Sequence, residues 1–178
     1  MTTSQIHTKN LRLVPHTRDD ARAYFQQMPT HERAEVSPVW LALLDRSSFS
    51  DPWIHGFAMV HQGSGVVVGR CGFKGPPGED GVVEIAYGVS REHQGKGYAT
   101  EAAAALVNYA LSHKRIRTVR AHTLPQQNAS TRVLTKCGFR RIGEVIDPED
   151  GLVWRWERYS EVDQSAPRGE FPPGFHTA

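Results

Sequence analysis

The sequence predicts a mixed α/β (α+β) domain, built on a largely antiparallel sheet of six to seven strands flanked by helices. Three observations predict it. Short runs with strand-like alternation recur from the first residues to the last third of the chain. Helical spacing appears between them, most clearly in the alanine-rich run that follows Gly97. Turn-forming clusters at 62–65, 75–81 and 147–151 separate neighbouring strand runs.

The first strand is Asn10 to His16, with Leu11 and Leu13 on one face. Thr17 then serves as N-cap of a helix, with Asp19 and Asp20 in its first turn and Ala21, Tyr24, Phe25 and Met28 on one side. Pro29 ends it. Residues 31–48 read as one or two short helices, with Pro38 suited to a helix start. An all-strand stretch over 54–73 is two runs joined at Gln62-Gly63-Ser64-Gly65, and residues 82–89, VVEIAYGV, form the next strand. Beyond the loop at 91–97, Ala99, Ala103, Leu106, Val107, Ala110 and Leu111 make the apolar stripe of a long helix. A further strand spans 116–124. The helix after it stops at Gly138, a left-handed cap, with Phe139 folding back as its apolar contact. Residues 139–159 close the sheet as a hairpin around Asp147–Gly151, with Trp154 and Trp156 packed on one face. Residues 1–159 thus form one domain, and 160–178, rich in Pro and Gly, an irregular tail.

Composition narrows the function classes. The chain has 178 residues, enough for one domain, and 39% hydrophobic residues, enough for a packed core. A formal net charge of +2 gives no support to a nucleic-acid coat. Cys71 and Cys137 form no CxxC pair, so no zinc or redox signature exists, and both read as buried free thiols. The first ten residues contain no apolar segment, and no apolar run approaches the ~20 residues of a membrane span, which predicts a soluble, cytoplasmic protein.

The chemistry points to one loop. Gln94-Gly95-Lys96-Gly97-Tyr98-Ala99 runs from a strand directly into a helix. Such a loop exposes backbone N–H groups at the positive end of a helix dipole, a place for phosphate. Gly95 and Gly97 let the anion approach the main chain and permit unusual φ. Neither common phosphate loop fits: there is no GxxxxGK[ST] and no GxGxxG. Taken alone, the glycines fit either a phosphate site or a plain tight loop.

The pattern Gln94-x-x-Gly97-x-Ala99 matches the Q/R-x-x-G-x-G/A fingerprint of the GCN5-related N-acetyltransferases. Together with residues 83–102, 128–139 and 8–21, it resembles the RimJ/RimL-type branch of that family, and the resemblance spans residues 8–159. It implies a sheet splayed at its central strands and acetyl-CoA as co-substrate, with no metal. The pyrophosphate would sit on the amides of Gln94, Gly95, Lys96, Gly97, Tyr98 and Ala99, with Thr100 at the helix start. The pantetheine arm would pair with the strand edge around Ala86, Tyr87 and Val89. Asn128 would contact the arm, although many members carry the asparagine one residue earlier, where this chain has Gln127.

The implied reaction moves an acetyl group from a thioester to an amine, so it needs a base, an oxyanion donor near Val89 and a proton for the departing thiolate. Glu84, which interrupts an apolar strand, is the candidate base; it also reads as a solvent-facing glutamate or one paired with Arg120. Ser130 resembles the serine some members keep near the thiol, and also reads as a helix-start residue. Tyr87 and Tyr98 are alternative donors or packing tyrosines. His122 faces the cleft or is structural, and Trp40 and Trp53 line a pocket or fill the core. Glu32, Glu35, Asp147, Glu149 and Asp150 could attract a cationic amine. The implied acceptor is a protein N-terminus or a small amine, handled by a monomer or homodimer without nucleic acid or membrane. The competing reading is a non-catalytic acyl-CoA-binding sensor.

Overall fold

The computed structural model describes residues 4–148 and 150–161. Eight strands form one sheet: β1 (Ile6–His7), β2 (Leu11–Pro15), β3 (Phe57–His61), β4 (Val67–Phe73), β5 (Val82–Val89), β6 (Thr118–Thr123), β7 (Arg140–Asp147) and β8 (Gly151–Tyr159). Their order is β1-β2-β3-β4-β5-β6-β8-β7. Every neighbouring pair is antiparallel except β5 and β6. Those two are joined by the long helix α5 (Tyr98–Leu111), as a parallel crossover requires. The mixed, largely antiparallel architecture is thus the expected one, with one strand more than expected. The extra strand, β1, is two residues long, too short for alternation to announce it.

The other helices are α1 (Arg18–Gln27), α2 (Thr30–Glu35), α3 (Pro38–Arg46), α4 (Pro52–His55) and α6 (Ala129–Lys136). Local chemistry sets their ends. Thr17 and Asp20 form a capping box at the start of α1. Ser37 Oγ accepts the Trp40 N–H ahead of Pro38 in α3. At the end of α6 Gly138 takes φ +80. Its N–H goes to Thr135 O at 3.1 Å and that of Phe139 to Leu134 O at 3.0 Å, the paired bonds of a Schellman motif. The strand expected from residue 54 instead begins at Phe57. Asp51 accepts the Trp53 N–H and Pro52 occupies the first turn, so residues 52–55 coil into α4.

Helix α5 lies across one face of the sheet. Its Ala102, Ala103, Leu106, Val107 and Ala110 pack with Leu11, Leu13, Phe57, Met59, Val83, Ile85 and Val119, all buried. Trp53 packs on Phe73 and Tyr109, with centroids 4.5 and 5.4 Å away. Trp40 joins the small cluster of Ala21, Leu44 and Ile54 and donates from Nε1 to Ile54 O. Both tryptophans are therefore packing residues. Trp156 is buried and donates to Thr123 Oγ1; Trp154 donates to Glu144 and carries the Arg141 guanidinium over its ring. Cys71 and Cys137 are free and buried, and burial pushes the Cys71 thiol up to about 12. Of the expected tail, Ser160 continues the sheet through its N–H to Arg117 O, and residues from 162 onward lie outside the described residues.

Candidate active site

The sheet opens in its middle. Strands β5 and β6 pair only over Val82–Glu84 and Thr118–Arg120. Beyond Glu84, β5 stays with β4 as far as Val89, while β6 stays with β8 as far as Thr123. The Glu84 carbonyl accepts the Lys74 N–H, and the Ser90 N–H goes to Val68 O. Backbone groups alternate along a strand, so Ala86 and Gly88 also face β4, and Ile85, Tyr87 and Val89 present their N–H and C=O to the gap. One of these is engaged: Gln94 Nε2 donates to Val89 O at 3.0 Å. The gap offers an edge that an amide-bearing chain can complete.

At the end of β5 the chain passes through a short 3-10 turn (Arg91–His93) into the glycine loop and α5. Gly95 and Gly97 take φ +76 and +82, and a Cβ at either would meet nothing within 4 Å. These positions need glycine for backbone conformation, and their outer side is open. Gly97 caps α5 without any side-chain hydrogen bond. Glu101 N–H reaches Gly97 O at 3.1 Å, so the amides of Tyr98, Ala99 and Thr100 precede the first intrahelical bond. Gln94, Gly95, Lys96 and Gly97 are exposed; Tyr98, Ala99 and Thr100 are half-buried. Donor-rich main chain at the positive end of a 14-residue helix fits a phosphate group.

Where the strands part lies a cavity of about 210 Å³, lined by Lys74, Glu84, Ala86, Tyr87, His122 and Ser130 among others. Its chemistry centres on Glu84, whose side chain is 21% exposed. Two side-chain nitrogens approach the same oxygen, Oε1: His122 Nδ1 at 3.1 Å and Lys74 Nζ at 3.2 Å. Asp150 Oδ2 lies 3.5 Å from Lys74 Nζ, and Asp147 Oδ2 lies 3.6 Å from His122 Nδ1. Burial works against the Lys74 charge, but Glu84, Asp150 and Asp147 outweigh it and hold the ammonium above its ordinary value. The His122 side chain is 8% exposed, and its Nε2 is buried with no hydrogen-bond partner among the described residues. Arg120, an expected partner of Glu84, binds Glu157 instead, through Nε at 2.9 Å and Nη2 at 2.7 Å.

Across the gap, Tyr87 donates its hydroxyl to Ser130 O at 3.4 Å. Burial, and secondarily Cys137, push the phenol well up, so it stays a proton donor. The Ser130 side chain is half-buried at the cavity. Asn128 is the N-cap of α6: its Oδ1 accepts the Thr131 N–H, while Thr131 Oγ1 accepts the Asn128 N–H, both at 3.0 Å. Tyr98 packs against the core and lies beside His61, with centroids 5.7 Å apart. Glu32 is exposed on α2, away from the lining residues; Glu149 lies outside the described residues.

Glu84, Ser130, Ala86 and Tyr87 thus share one cavity, and the 94–100 loop starts from the far end of the same strand. Sequence reasoning missed Lys74. The signal was partial: the turn cluster at 75–81 makes β4 and β5 a hairpin, but symmetric counting from it would set Lys74 opposite Val82, and only the observed register sets it opposite Glu84. A larger cavity of about 390 Å³ lies between β1 and α5, but its carboxylate, Glu101, is already held by Thr8 and Asn10.

The model of the acetyltransferase (GNAT) domain family matches residues 10–140. The chain belongs to the GNAT family. Its curated relatives include the uncharacterized N-acetyltransferase YjdG of Bacillus subtilis, 31% identical over 116 residues, covering 64% of this chain and 67% of that protein. A second, the uncharacterized N-acetyltransferase p20 of Bacillus licheniformis, is 31% identical over 93 residues, so the chain spans about half that relative's length, 52%. Among solved structures, RimL, a ribosomal L7/L12 α-N-protein acetyltransferase in complex with coenzyme A, superposes with a TM-score of 0.66 at 16% identity. That alignment covers 90% of this chain and all of RimL (100%). The likeness shows a shared fold with RimL-type members, and the domain is a GNAT acetyltransferase domain. No helix among the described residues is long and apolar enough to cross a membrane.

Proposed function

We propose that the protein transfers the acetyl group of acetyl-CoA to a primary amine by direct attack in a ternary complex. The single observation that carries this reading is that the gap between β5 and β6 ends at the Glu84 cavity while the other end of β5 delivers the exposed 94–97 loop and the start of α5. In this reading Gln94 to Ala99, with Thr100, hold the diphosphate through main-chain amides, and the open edge of β5 receives the pantetheine arm. Ala86 and Asn128 border that arm by side chain. Two buried free thiols suit a reducing cytoplasm.

An alkylamine has a pKa of about 10, so freeing it at neutral pH costs about 4 kcal/mol. Glu84 takes that proton, directly or through one water. With Lys74 and His122 both on Oε1, Oε2 is the oxygen that turns to the amine. The amine attacks the thioester carbonyl; the oxyanion is met by a backbone N–H of the β5 edge near Val89. The C–S bond then breaks, and Tyr87 or Ser130 protonates the thiolate. Acetyl-CoA supplies the activated acyl carbon; the chain supplies proximity and proton transfer.

Release of free CoA across peptides, amino acids, polyamines and aminoglycosides tests the reading, with wild type beside Glu84→Gln. The expected result is turnover on at least one amine class, lost in Glu84→Gln while CoA affinity is kept. Binding of acetyl-CoA without turnover on any acceptor would instead favour a sensor module.

A further inference from the structure

On the cavity side of the sheet, cross-strand pairing puts Arg70 beside Gly88 and Lys74 beside Glu84. The Arg70 guanidinium lies over the ring of Tyr24 of α1, its Cζ 3.5 Å from the ring centroid. No hydrogen bond or ion pair to the Arg70 side chain exists among the described residues. Asp20, whose charge interacts with Arg70, uses Oδ2 for the Thr17 N–H and hydroxyl, both at 2.8 Å. The positive field of Arg70 reaches His16, whose pKa is lowered first by burial and then by Arg70. Between Arg70 and the Glu84 cavity, β5 contributes only Ala86 and Gly88 on this side. Both are exposed, and a Cβ at Gly88 would meet nothing within 4 Å.

We infer that Arg70, stacked on Tyr24, binds a carboxylate of the acceptor, which lies extended over Ala86 and Gly88 with its amine at Glu84. This rests on the acetyl-transfer reading above and names the acceptor class. A guanidinium held over an aromatic ring keeps its fork of donors oriented, so little freedom is lost on pairing with a planar carboxylate. Glu84 and Gly88 are four residues apart, about 13 Å at ~3.3 Å per residue. An extended peptide with an acidic third or fourth residue bridges it, as does a small amino acid whose carboxylate is equally far from its amine. A short polyamine has the wrong charge at Arg70.

Two peptides that differ only by Glu or Gln at the third residue test this. The expected kcat/KM is roughly tenfold to a hundredfold higher for the Glu peptide, expressed mainly in KM. Arg70→Gln lowers the Glu peptide to the level of the Gln peptide. Arg70→Lys restores little, because lysine cannot stack or fork. An ω-amino carboxylic acid of matching span, assayed in parallel, separates a small acceptor from a peptide. Equal kcat/KM for both peptides and no effect of Arg70→Gln would overturn the inference while leaving acetyl transfer standing. Calorimetry on the two N-acetylated product peptides reads the same preference without chemistry. An Arg70-dependent preference there, with no CoA release from any acceptor, would sink the transfer reading and keep the carboxylate site; no preference would overturn the site.

Discussion

Glu84 and His122 meet just past the last paired rung of β5 and β6, with Glu84 Oε1 3.1 Å from His122 Nδ1. The contact bridges the two halves of the sheet where they separate. With Lys74 on the same oxygen, it fixes the carboxylate from both sides of the gap. In the proposed reaction neither side chain touches CoA, and both orient the Glu84 carboxylate. His122→Gln and Lys74→Met are therefore expected to lower kcat about tenfold each and to leave CoA affinity within twofold. Steady-state kinetics beside calorimetry with CoA checks this, and a matching loss of CoA affinity would contradict it.

Gly97 carries φ +82 at the start of α5. A β-branched residue there would have to hold a left-handed conformation at a cost of about 1–2 kcal/mol, or swing the loop away. Gly97→Val is expected to weaken CoA binding tenfold or more. Gly143, which has open space around it and no positive φ, serves as control: Gly143→Ala leaves CoA binding unchanged. Calorimetric titration with CoA distinguishes the two.

Folding stability is expected to fall between about pH 6.5 and 5.5. His55 is buried: Nδ1 accepts the Asp51 N–H at 3.0 Å. Ser47 Oγ donates to Leu44 O, so Nε2–H donates to Ser47 Oγ at 2.7 Å. Both ring nitrogens are committed to the neutral form, and burial lowers the pKa, as it does for His16. A histidine lowered in the fold stabilises fully above the unfolded value of about 6.5 and loses that contribution as pH falls through the folded value. The unfolding free energy from urea melts should be about 1 kcal/mol lower at pH 5.5 than at pH 7.5, with a lower midpoint. An equal or higher midpoint at pH 5.5 would contradict the assignment.

Glu101 ties the first turn of α5 to the β1–β2 connection through Thr8 Oγ1 at 2.7 Å and Asn10 N–H at 3.0 Å. Burial opposes its charge, but these bonds outweigh it and lower the carboxyl pKa. The stability it contributes is present above the unfolded value of about 4.3 and is lost as pH falls through the lower folded value. Glu101→Gln is expected to cost about 1 kcal/mol at pH 7 and much less at pH 3. Denaturant melts at the two pH values read the difference.

Much of this architecture was legible because it is written locally. Thr17 with Asp20, Pro38, Gly138 with Phe139 and the alanine stripe each specify an element end or face without help from distant residues. The glycine loop was legible for the same reason. Helix α4 was missed because four residues cannot display a period, and β1 because two cannot. The surroundings of Glu84 were hidden for a different reason. Lys74 follows the end of β4, while His122 and Asp147 come from β6 and β7, and only the sheet order brings them together. Arg120 looked an equal partner for Glu84 in sequence, and cross-strand register sets it beside both Glu84 and Glu157, but its guanidinium binds Glu157.

The central claim is that main-chain amides at the start of α5 grip the diphosphate of CoA. Titrating isotope-labelled protein with CoA and following backbone amide resonances tests it most directly. The account predicts that Gly95, Lys96, Gly97, Tyr98, Ala99 and Thr100 shift most, with Tyr87 and Val89 following as the pantetheine arm pairs with β5. Shifts confined to the β1–α5 cavity, around Thr8, Glu101 and Asn108, with the loop amides unmoved, would contradict it.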